Sequence, residues 1–501
     1  MIRISGVSFS YGVAGLDGGV GKPALADVDL SVARGEFVLL CGESGCGKTT
    51  LTRLINGLVP HFYDGVLSGS VSVGGMDVSL SPLHDISKVV GSVFQNPRSQ
   101  FFNVDTTSEL AFGCENRGLP ESEIRERVAR SVRDLSLSQL VDRSIFELSG
   151  GEKQKIACGA VSACDPPIIV LDEPSSNLDS GAVSDLRRCL KLWKSRGKTI
   201  VVSEHRLHYL ADLADTVVYM RDGKIAKNYS AEEFRRLSPV DASSLGLRPI
   251  DLASYVRERA SFVGRESAFS DVLRVVSLSL SRSGAKALAV SDMDIPAGRV
   301  TALIGANGAG KSTFARSLCG LERRAKGSIR YRGKNRSCAA FLADSYLVMQ
   351  DVNHQLFAES VFDEVSLGMD RGIEEERRKE TVERILGNLD LLQFRDAHPM
   401  SLSGGQKQRV AVAGAIAANA DVIVFDEPTS GLDFRMMGAV ASQISALARR
   451  GKTVLVITHD LELTLACCSF AVRFAGGKVV DAFSVDESNR ARLLDSFGVR
   501  E

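Results

Sequence analysis

Short apolar runs punctuate the chain in an order that occurs twice. Glu36–Cys41 and Val300–Ile304 are compact apolar stretches, each leading into a glycine turn and then a helix-favouring segment. Ile168–Leu171 and Val422–Phe425 are too short and too uniformly apolar for amphipathic helices, and they read as strands buried on both faces. Thr199–Ser203 and Thr453–Thr458, each after a Gly-Lys turn, add a further strand to each half. Polar, helix-favouring stretches at Glu121–Leu137 and Ile373–Leu391 lie between the first helix and the later strands. The pattern predicts an α/β protein: a parallel-sheet core with a helical insertion, built twice in one chain.

Direct comparison of the halves fixes the repeat. Ser149 and Ser403, Glu173 and Glu427, and His205 and His459 all lie 254 residues apart. The glycine-rich loops at Gly42 and Gly305 lie 263 apart, so the first half carries extra residues between its loop and Gln95. The expected organisation is a first domain over residues 1–235, a polar linker over 236–268 and a second domain over 269–501.

Composition removes several classes. Apolar residues at 44% and charged residues at 24% describe a globular protein rather than a disordered one. Lys+Arg and Asp+Glu both number 61, so the basic excess that marks many nucleic-acid binders is absent, and no nucleic-acid partner is expected. Ten cysteines show no C-x-x-C pair and no zinc-type spacing; they read as small buried residues in a reducing compartment. The N-terminal segment lacks the charge and apolar pattern of a signal peptide. No apolar run reaches the roughly 18 residues of a membrane span, so work on a membrane would need other subunits.

The chemistry lies in the repeated motifs. Gly42-Glu43-Ser44-Gly45-Cys46-Gly47-Lys48-Thr49 and Gly305-Ala306-Asn307-Gly308-Ala309-Gly310-Lys311-Ser312 both match G-x-x-x-x-G-K-[ST], with Thr50 and Thr313 completing each cradle. Such a loop, set between strand and helix, aims backbone N–H groups at phosphate oxygens. Its lysine neutralises β- and γ-phosphate charge, and its hydroxyl reaches Mg²⁺. Asp172 and Asp426 end buried strands where they can hold a metal's hydration shell, and Glu173 and Glu427, next in sequence, can polarise an attacking water. His205 and His459, each 32 residues later, can bond a γ-phosphate. Gln95 and Gln350 end apolar stretches; a glutamine amide there can reach Mg²⁺ and water, or simply close a strand.

Leu148-Ser149-Gly150-Gly151-Glu and Leu402-Ser403-Gly404-Gly405-Gln, coupled to these loops, carboxylates and histidines, resemble the ATP-binding-cassette superfamily along nearly the whole chain. The resemblance implies two P-loop NTPase cassettes that hydrolyse ATP with Mg²⁺ as a pseudo-dimer within the chain. It also implies that each ATP is shared between one phosphate loop and the other cassette's Ser-Gly-Gly helix start. One site would pair Lys48, Glu173 and His205 with Ser403–Gly405; the other would pair Lys311, Glu427 and His459 with Ser149–Gly151. The loops ending at Asp179 and Asp433 would couple the two sites. Tyr11 stands where the family stacks an aromatic ring on adenine, with Leu280 read as its counterpart, and residues 12–22 read as a surface loop.

Phe94-Gln-Asn-Pro-Arg-Ser-Gln-Phe-Phe102 with Glu109-Leu-Ala-Phe-Gly113, and Gln350 to Phe357 with Glu364-Val-Ser-Leu-Gly368, together with Asn56 to Tyr63, look like the fused ATPases of energy-coupling factor (ECF) transporters. That likeness implies a peripheral protein on the cytoplasmic face of the cell membrane. A transmembrane coupling subunit and a substrate-binding membrane subunit would be its partners, and a vitamin or metal-type solute the cargo. Phe101, Phe102, Leu356 and Phe357 would then line grooves for the coupling subunit, or else be core residues of the helical insertion. The alternative is a soluble tandem ATPase acting on ribosomes or nucleic acid. The connection at 227–270 lacks the length and charge expected of it.

Overall fold

The computed structural model describes residues 1–12, 23–176, 178–258, 271–282, 285–370 and 372–499. The loop expected at 12–22 lies outside them except for Gly12, as do Asn177 and residues 259–270 of the connection. Internal contacts divide the chain into two units, Met1–Leu252 and Ala253–Glu501. Ala242 and Leu247, within the stretch read as linker, are buried in the core of the first unit.

Each unit contains one six-stranded and one four-stranded sheet. In the first, the larger sheet runs Val90–Val93, Ile168–Asp172, Thr199–Ser203, Phe37–Cys41, Thr216–Arg221 and Lys224–Ser230 in spatial order. All neighbours are parallel except the last pair. In the second, Ser345–Val348, Val422–Asp426, Thr453–Ile457, Val300–Ile304, Phe470–Ala475 and Lys478–Ser484 repeat this order. Every residue of Phe37–Cys41 and Val300–Ile304 is buried, as central parallel strands covered on both faces require.

The four-stranded antiparallel sheets were not expected from the sequence. In the first unit Leu25–Val32, Ile2–Tyr11, Gly65–Val73 and Met76–Asp77 are neighbours. Ile2, Ile4, Val7 and Phe9 are buried, while Arg3 and Ser5 face out, the period-two pattern of a sheet covered on one side. Helix Lys48–Ile55 sends Leu51, Leu54 and Ile55 into one apolar cluster with Val7, Phe9, Val38, Leu40 and Val201, drawn from both sheets. The start of that helix is thereby held at the end of the central strand. The extra residues of the first half include a helical turn, Leu58–His61, between this helix and Gly65–Val73.

The helical insertion contains Glu121–Asp134 and Glu375–Asn388, and the Ser-Gly-Gly segments open helices Gly150–Cys164 and Gly404–Ala418. Eight of the ten cysteines are buried, and all ten are free.

Candidate nucleotide-hydrolysing sites

Backbone geometry builds the phosphate cradle. Gly42 has φ 145°, and a Cβ there would stand 2.2 Å from the Met220 carbonyl oxygen; Gly47 has φ 104°, and a Cβ there would stand 2.7 Å from that of Ala24. Only glycine fits these two positions. Gly45 (φ 78°) opens onto empty space, and no side chain caps the helix that follows Gly47, so its first N–H groups remain available to an anion. Lys48 Nζ donates to the carbonyl oxygens of Gly42 and Glu43, both at 2.9 Å. Ser44 is exposed beside Gly45, whereas Cys46 and Thr50 are buried beneath the loop. In the second unit Gly305 (φ 136°) and Gly310 (φ 102°) repeat the conformation, Asn307 and Gly308 are exposed and Ala309 is buried. Lys311 Nζ donates to Gly305 and Ala306 carbonyl oxygens at 2.6 and 3.0 Å.

The acidic pairs sit beside these loops. Thr49 Oγ1 donates to Asp172 Oδ1 at 3.2 Å, and the Ser312 hydroxyl lies beside Asp426 in the second unit. Burial, then the neighbouring Glu173 charge, raises the Asp172 carboxyl above its ordinary value; burial also raises Asp426. Thr49, Asp172 and Gln95 in one unit, and Ser312, Asp426 and Gln350 in the other, are hard oxygen donors of the kind Mg²⁺ accepts. A divalent cation there would relieve the cost of the buried carboxylate.

Glu173 and Glu427 have φ of 43° and 54°, a left-handed conformation uncommon for glutamate, at the same place in both units. Glu173 N–H donates to Ser203 and Glu427 N–H to Ile457, both at 2.9 Å, which anchors each residue to the adjacent strand. Gln95 Nε2 donates to Glu173 Oε2 at 2.7 Å, and His205 Nε2 lies 3.2 Å from Glu173 Oε1. Burial opposes charge on Glu173, but His205, Lys48 and Arg248 together outweigh it and hold the carboxyl below its ordinary value. In the second unit His459 Nε2 lies 3.5 Å from Glu427 Oε1, 3.3 Å from Lys311 Nζ and 3.0 Å from Asn307 Oδ1. Gln350 differs from Gln95: it is exposed, and among the described residues no hydrogen bond joins it to Glu427.

Ser149 caps helix Gly150–Cys164 with Glu152 in a reciprocal capping box, and Ser403 caps Gly404–Ala418 with Gln406. Gly150 and Gly404 open onto empty space, whereas Gly151 and Gly405 pack against Ala182 and Leu432. Thr313, like Thr50, follows the loop's hydroxyl residue in the first turn of its helix.

Tyr11 is 43% exposed, and its hydroxyl lies 3.1 Å from Thr50 Oγ1 and accepts from Arg53 at 3.0 Å, which sets the ring beside the phosphate loop. Leu280 is not its counterpart. Phe9 pairs with Leu25 and Leu280 pairs with Leu288, while Leu25 and Leu288 both pack beside the last loop glycine. Leu280 therefore corresponds to the buried Phe9, and Arg282 stands at the Tyr11 position. A strand alternates faces, so a slip of two residues kept the face but exchanged a core residue for the surface one.

The motif after each glutamine also has a structural cause. Gln100 accepts from Phe94 N–H at 3.2 Å and donates to Ser92 O at 2.9 Å; Gln355 repeats this with Met349 N–H and Leu347 O at 3.0 and 3.1 Å. Glu109 accepts from Phe102 and Asn103 N–H at 3.1 and 2.9 Å, and Glu364 from Phe357 and Ala358 N–H at 2.7 and 2.8 Å. The apolar pairs divide between the two expectations. Phe101 packs on the insertion core and Leu356 is buried, while Phe102 and Phe357 are 76% and 78% exposed.

Comparison with known proteins decides the family. The ABC transporter family profile matches residues 25–176 and 288–430, together more than half of the chain. The chain belongs to the ABC transporter family. It is accordingly an ATPase with two cassettes, using ATP with Mg²⁺. A Treponema denticola protein, provisionally named an ABC transporter ATP-binding protein, is 43% identical over 99% of this chain and 100% of its own length. A Methanosarcina acetivorans protein with the same provisional name is 33% identical over 95% of this chain and 85% of its own. Among solved structures, one called RNase-L Inhibitor superposes with TM-score 0.66 at 21% identity, covering 99% of this chain and 93% of its own, a likeness of fold. No described helix of this ABC ATPase is long and apolar enough to cross a membrane.

Sequence reading missed Glu204 and Asp460. Glu204 is buried and accepts from the N–H groups of Ser175, His205 and Arg206 at 3.0, 2.8 and 3.1 Å, and from Tyr209 Oη at 2.7 Å. In the second unit Thr458 occupies the place before the histidine, and the carboxylate comes after it, as Asp460, which accepts from Thr429 Oγ1 at 3.1 Å.

Proposed function

We propose that this chain is the energising subunit of an importer of ECF type, driving uptake of a small solute through separate membrane subunits by hydrolysing ATP at two composite sites. Lys48 and Lys311 bind the β- and γ-phosphates. Thr49 with Asp172, and Ser312 with Asp426, hold Mg²⁺, which when bound neutralises charge on the transferring phosphoryl group. Glu173 and Glu427 polarise the attacking water, and His205 and His459 fix the γ-phosphate. Ser403–Gly405 and Ser149–Gly151 present helix N-termini to the ATP held by the opposite cassette.

The observation that carries the transport reading is the exposed aromatic held in place in each unit. Phe102 stacks on Phe112 with ring centroids 5.1 Å apart, and Phe357 and Leu367 are exposed at the matching positions. Glu109 and Glu364 use their carboxylates to fix these loops, a costly arrangement for side chains that face only water. Each loop directly follows the glutamine beside the nucleotide site, so a partner seated on it could sense the state of the γ-phosphate. The names of the full-length relatives support the same reading.

The test is to purify the tagged full chain from detergent-solubilised membranes of its own cells and identify what accompanies it. The reading expects integral membrane subunits, lost when Phe102→Ala and Phe357→Ala are combined although ATP binding persists. Recovery with ribosomal particles and no membrane protein would contradict it and favour the ribosome-directed alternative.

A further inference from the structure

Tyr11 is exposed and yet fixed in place. Ordering a surface side chain costs rotamer freedom, so contacts that fix one call for a reason. The buried Phe9 meets the Tyr11 ring in a T-shaped contact, with centroids 4.8 Å apart and planes at 83°. Tyr63 meets it in the same way at 6.1 Å and 88°. The hydroxyl is tied to the helix that follows the phosphate loop, 3.1 Å from Thr50 Oγ1 and accepting from Arg53 at 3.0 Å. Arg53 in turn lays its guanidinium over the Tyr63 ring, 4.1 Å from the centroid, and Tyr63 packs on the apolar core of the unit. Arg53 is thus held between two tyrosines, by a hydrogen bond to one and a cation–π contact with the other.

The second cassette keeps the arginine and lacks both tyrosines. Arg316 occupies in helix Lys311–Leu318 the place that Arg53 has in Lys48–Ile55. Arg282 replaces Tyr11. Tyr63 lies between its helix and strand Gly65–Val73, and the matching segment of the second unit, residues 319–325, has no aromatic residue.

We propose that Arg53 and Tyr63 are positioning residues that brace Tyr11 as a preformed platform for the nucleobase at the first site. The inference rests on the reading of the first phosphate loop as a nucleotide site. A base stacks on an aromatic face, and a ring that is already fixed loses no rotamer freedom when the base arrives. The brace acts through the ring, so its loss weakens the hold on the base and leaves the hold on the phosphates unchanged. Every base offers a π-face, so the platform favours a nucleotide over a bare polyphosphate and discriminates little between purines.

Equilibrium binding of MgATP and of magnesium tripolyphosphate, which has the phosphates without the base, tests this. The full chain carries Glu173→Gln and Lys311→Ala, which stop turnover and silence the second site. On that background the variants are Tyr11→Ala, Tyr11→Phe, Arg53→Ala, Tyr63→Ala, Tyr63→Phe and the Tyr11→Phe/Arg53→Ala pair. Tyr11→Ala should weaken MgATP about tenfold, within the range for one base–aromatic stack. Arg53→Ala and Tyr63→Ala should each weaken it about threefold, because a freed ring still stacks but must first be ordered. Tyr63→Phe keeps a ring under the guanidinium and should bind like wild type. The Tyr11→Phe/Arg53→Ala pair should lose less than the product of the single losses, because coupled residues do not add. Tripolyphosphate affinity should stay within about twofold throughout, as for groups that do not share a partner. Equal weakening of ATP and tripolyphosphate in Arg53→Ala and Tyr63→Ala would overturn the proposal, since that is what a purely structural contact beside the loop gives. Wild-type ATP affinity in both, with Tyr11→Ala weakened, would also overturn it and leave Tyr11 to carry the base unaided. Wild-type ATP affinity in Tyr11→Ala would take the base off the ring and this inference with it, while the phosphate-loop reading would still stand on tripolyphosphate binding. Should Arg53→Ala not fold, Arg53→Met, which fills the space without the charge, replaces it with the same outcomes.

Discussion

Glu204 and Asp460 anchor the histidine loops of their cassettes from opposite sides of the histidine in sequence. Glu204 precedes His205 and binds the Ser175 N–H; Asp460 follows His459 and binds the Thr429 hydroxyl. Ser175 and Thr429 are themselves equivalent, two residues beyond Glu173 and Glu427. Both carboxylates thus tie the segment after the glutamate to the segment carrying the histidine.

Removing Glu204 therefore strands several buried donors. Glu204→Ala should destabilise the first unit by about 3 kcal/mol, the scale for unsatisfied buried groups. Glu204→Gln should cost less, since it keeps an acceptor. The combined exchange Glu204→Thr and Arg206→Asp, which copies the second cassette, should recover part of the loss. Thermal unfolding of the four proteins measures this; an unchanged midpoint in Glu204→Ala would remove the tie.

Glu173→Gln and Glu427→Gln should each lower steady-state hydrolysis by roughly 100-fold, as loss of a water-polarising carboxylate does. ATP affinity should persist in both. Near-normal turnover in the two single variants would show that the water is polarised elsewhere.

Asp172→Asn should raise the Mg²⁺ concentration that supports half-maximal hydrolysis by about tenfold or more, since an amide is a poorer ligand for a hard cation. Titrating Mg²⁺ at fixed ATP measures the change. An unaltered requirement would detach Asp172 from the metal.

The aromatic pairs separate packing from partner binding. Leu356→Ala should destabilise the second unit by about 2–4 kcal/mol, the range for truncating a buried leucine. Phe357→Ala, one residue away, should leave the unfolding midpoint within a degree or two, because its ring is already in water. Equal losses would mean that Phe357 packs on the fold and is no free surface.

The phosphate-loop, acidic and Ser-Gly-Gly motifs were legible because phosphate chemistry restricts both residue type and spacing, and the repeat showed each of them twice. The parallel strands were legible because burial on both faces leaves an uninterrupted apolar run. The antiparallel sheets were not, since serine-rich alternation such as Ile2–Tyr11 is a weaker signal and its register depends on bulges. That weakness is also what placed Leu280 against Tyr11 instead of Phe9. Glu204 escaped because its partner in the other half had moved by two positions, so aligning the repeats hid the shared role. Gly246 lay in a stretch that reads as linker, and only the fold carries it back to Glu43 of the phosphate loop.

Two nucleotide sites in one chain are the centre of the account, and counting nucleotides tests them most directly. Equilibrium binding of MgATP to the full chain carrying Glu173→Gln and Glu427→Gln should saturate at two nucleotides per chain. One should be lost on adding Lys48→Ala, and the other on adding Lys311→Ala. Saturation at one nucleotide, or binding indifferent to both lysines, would contradict it.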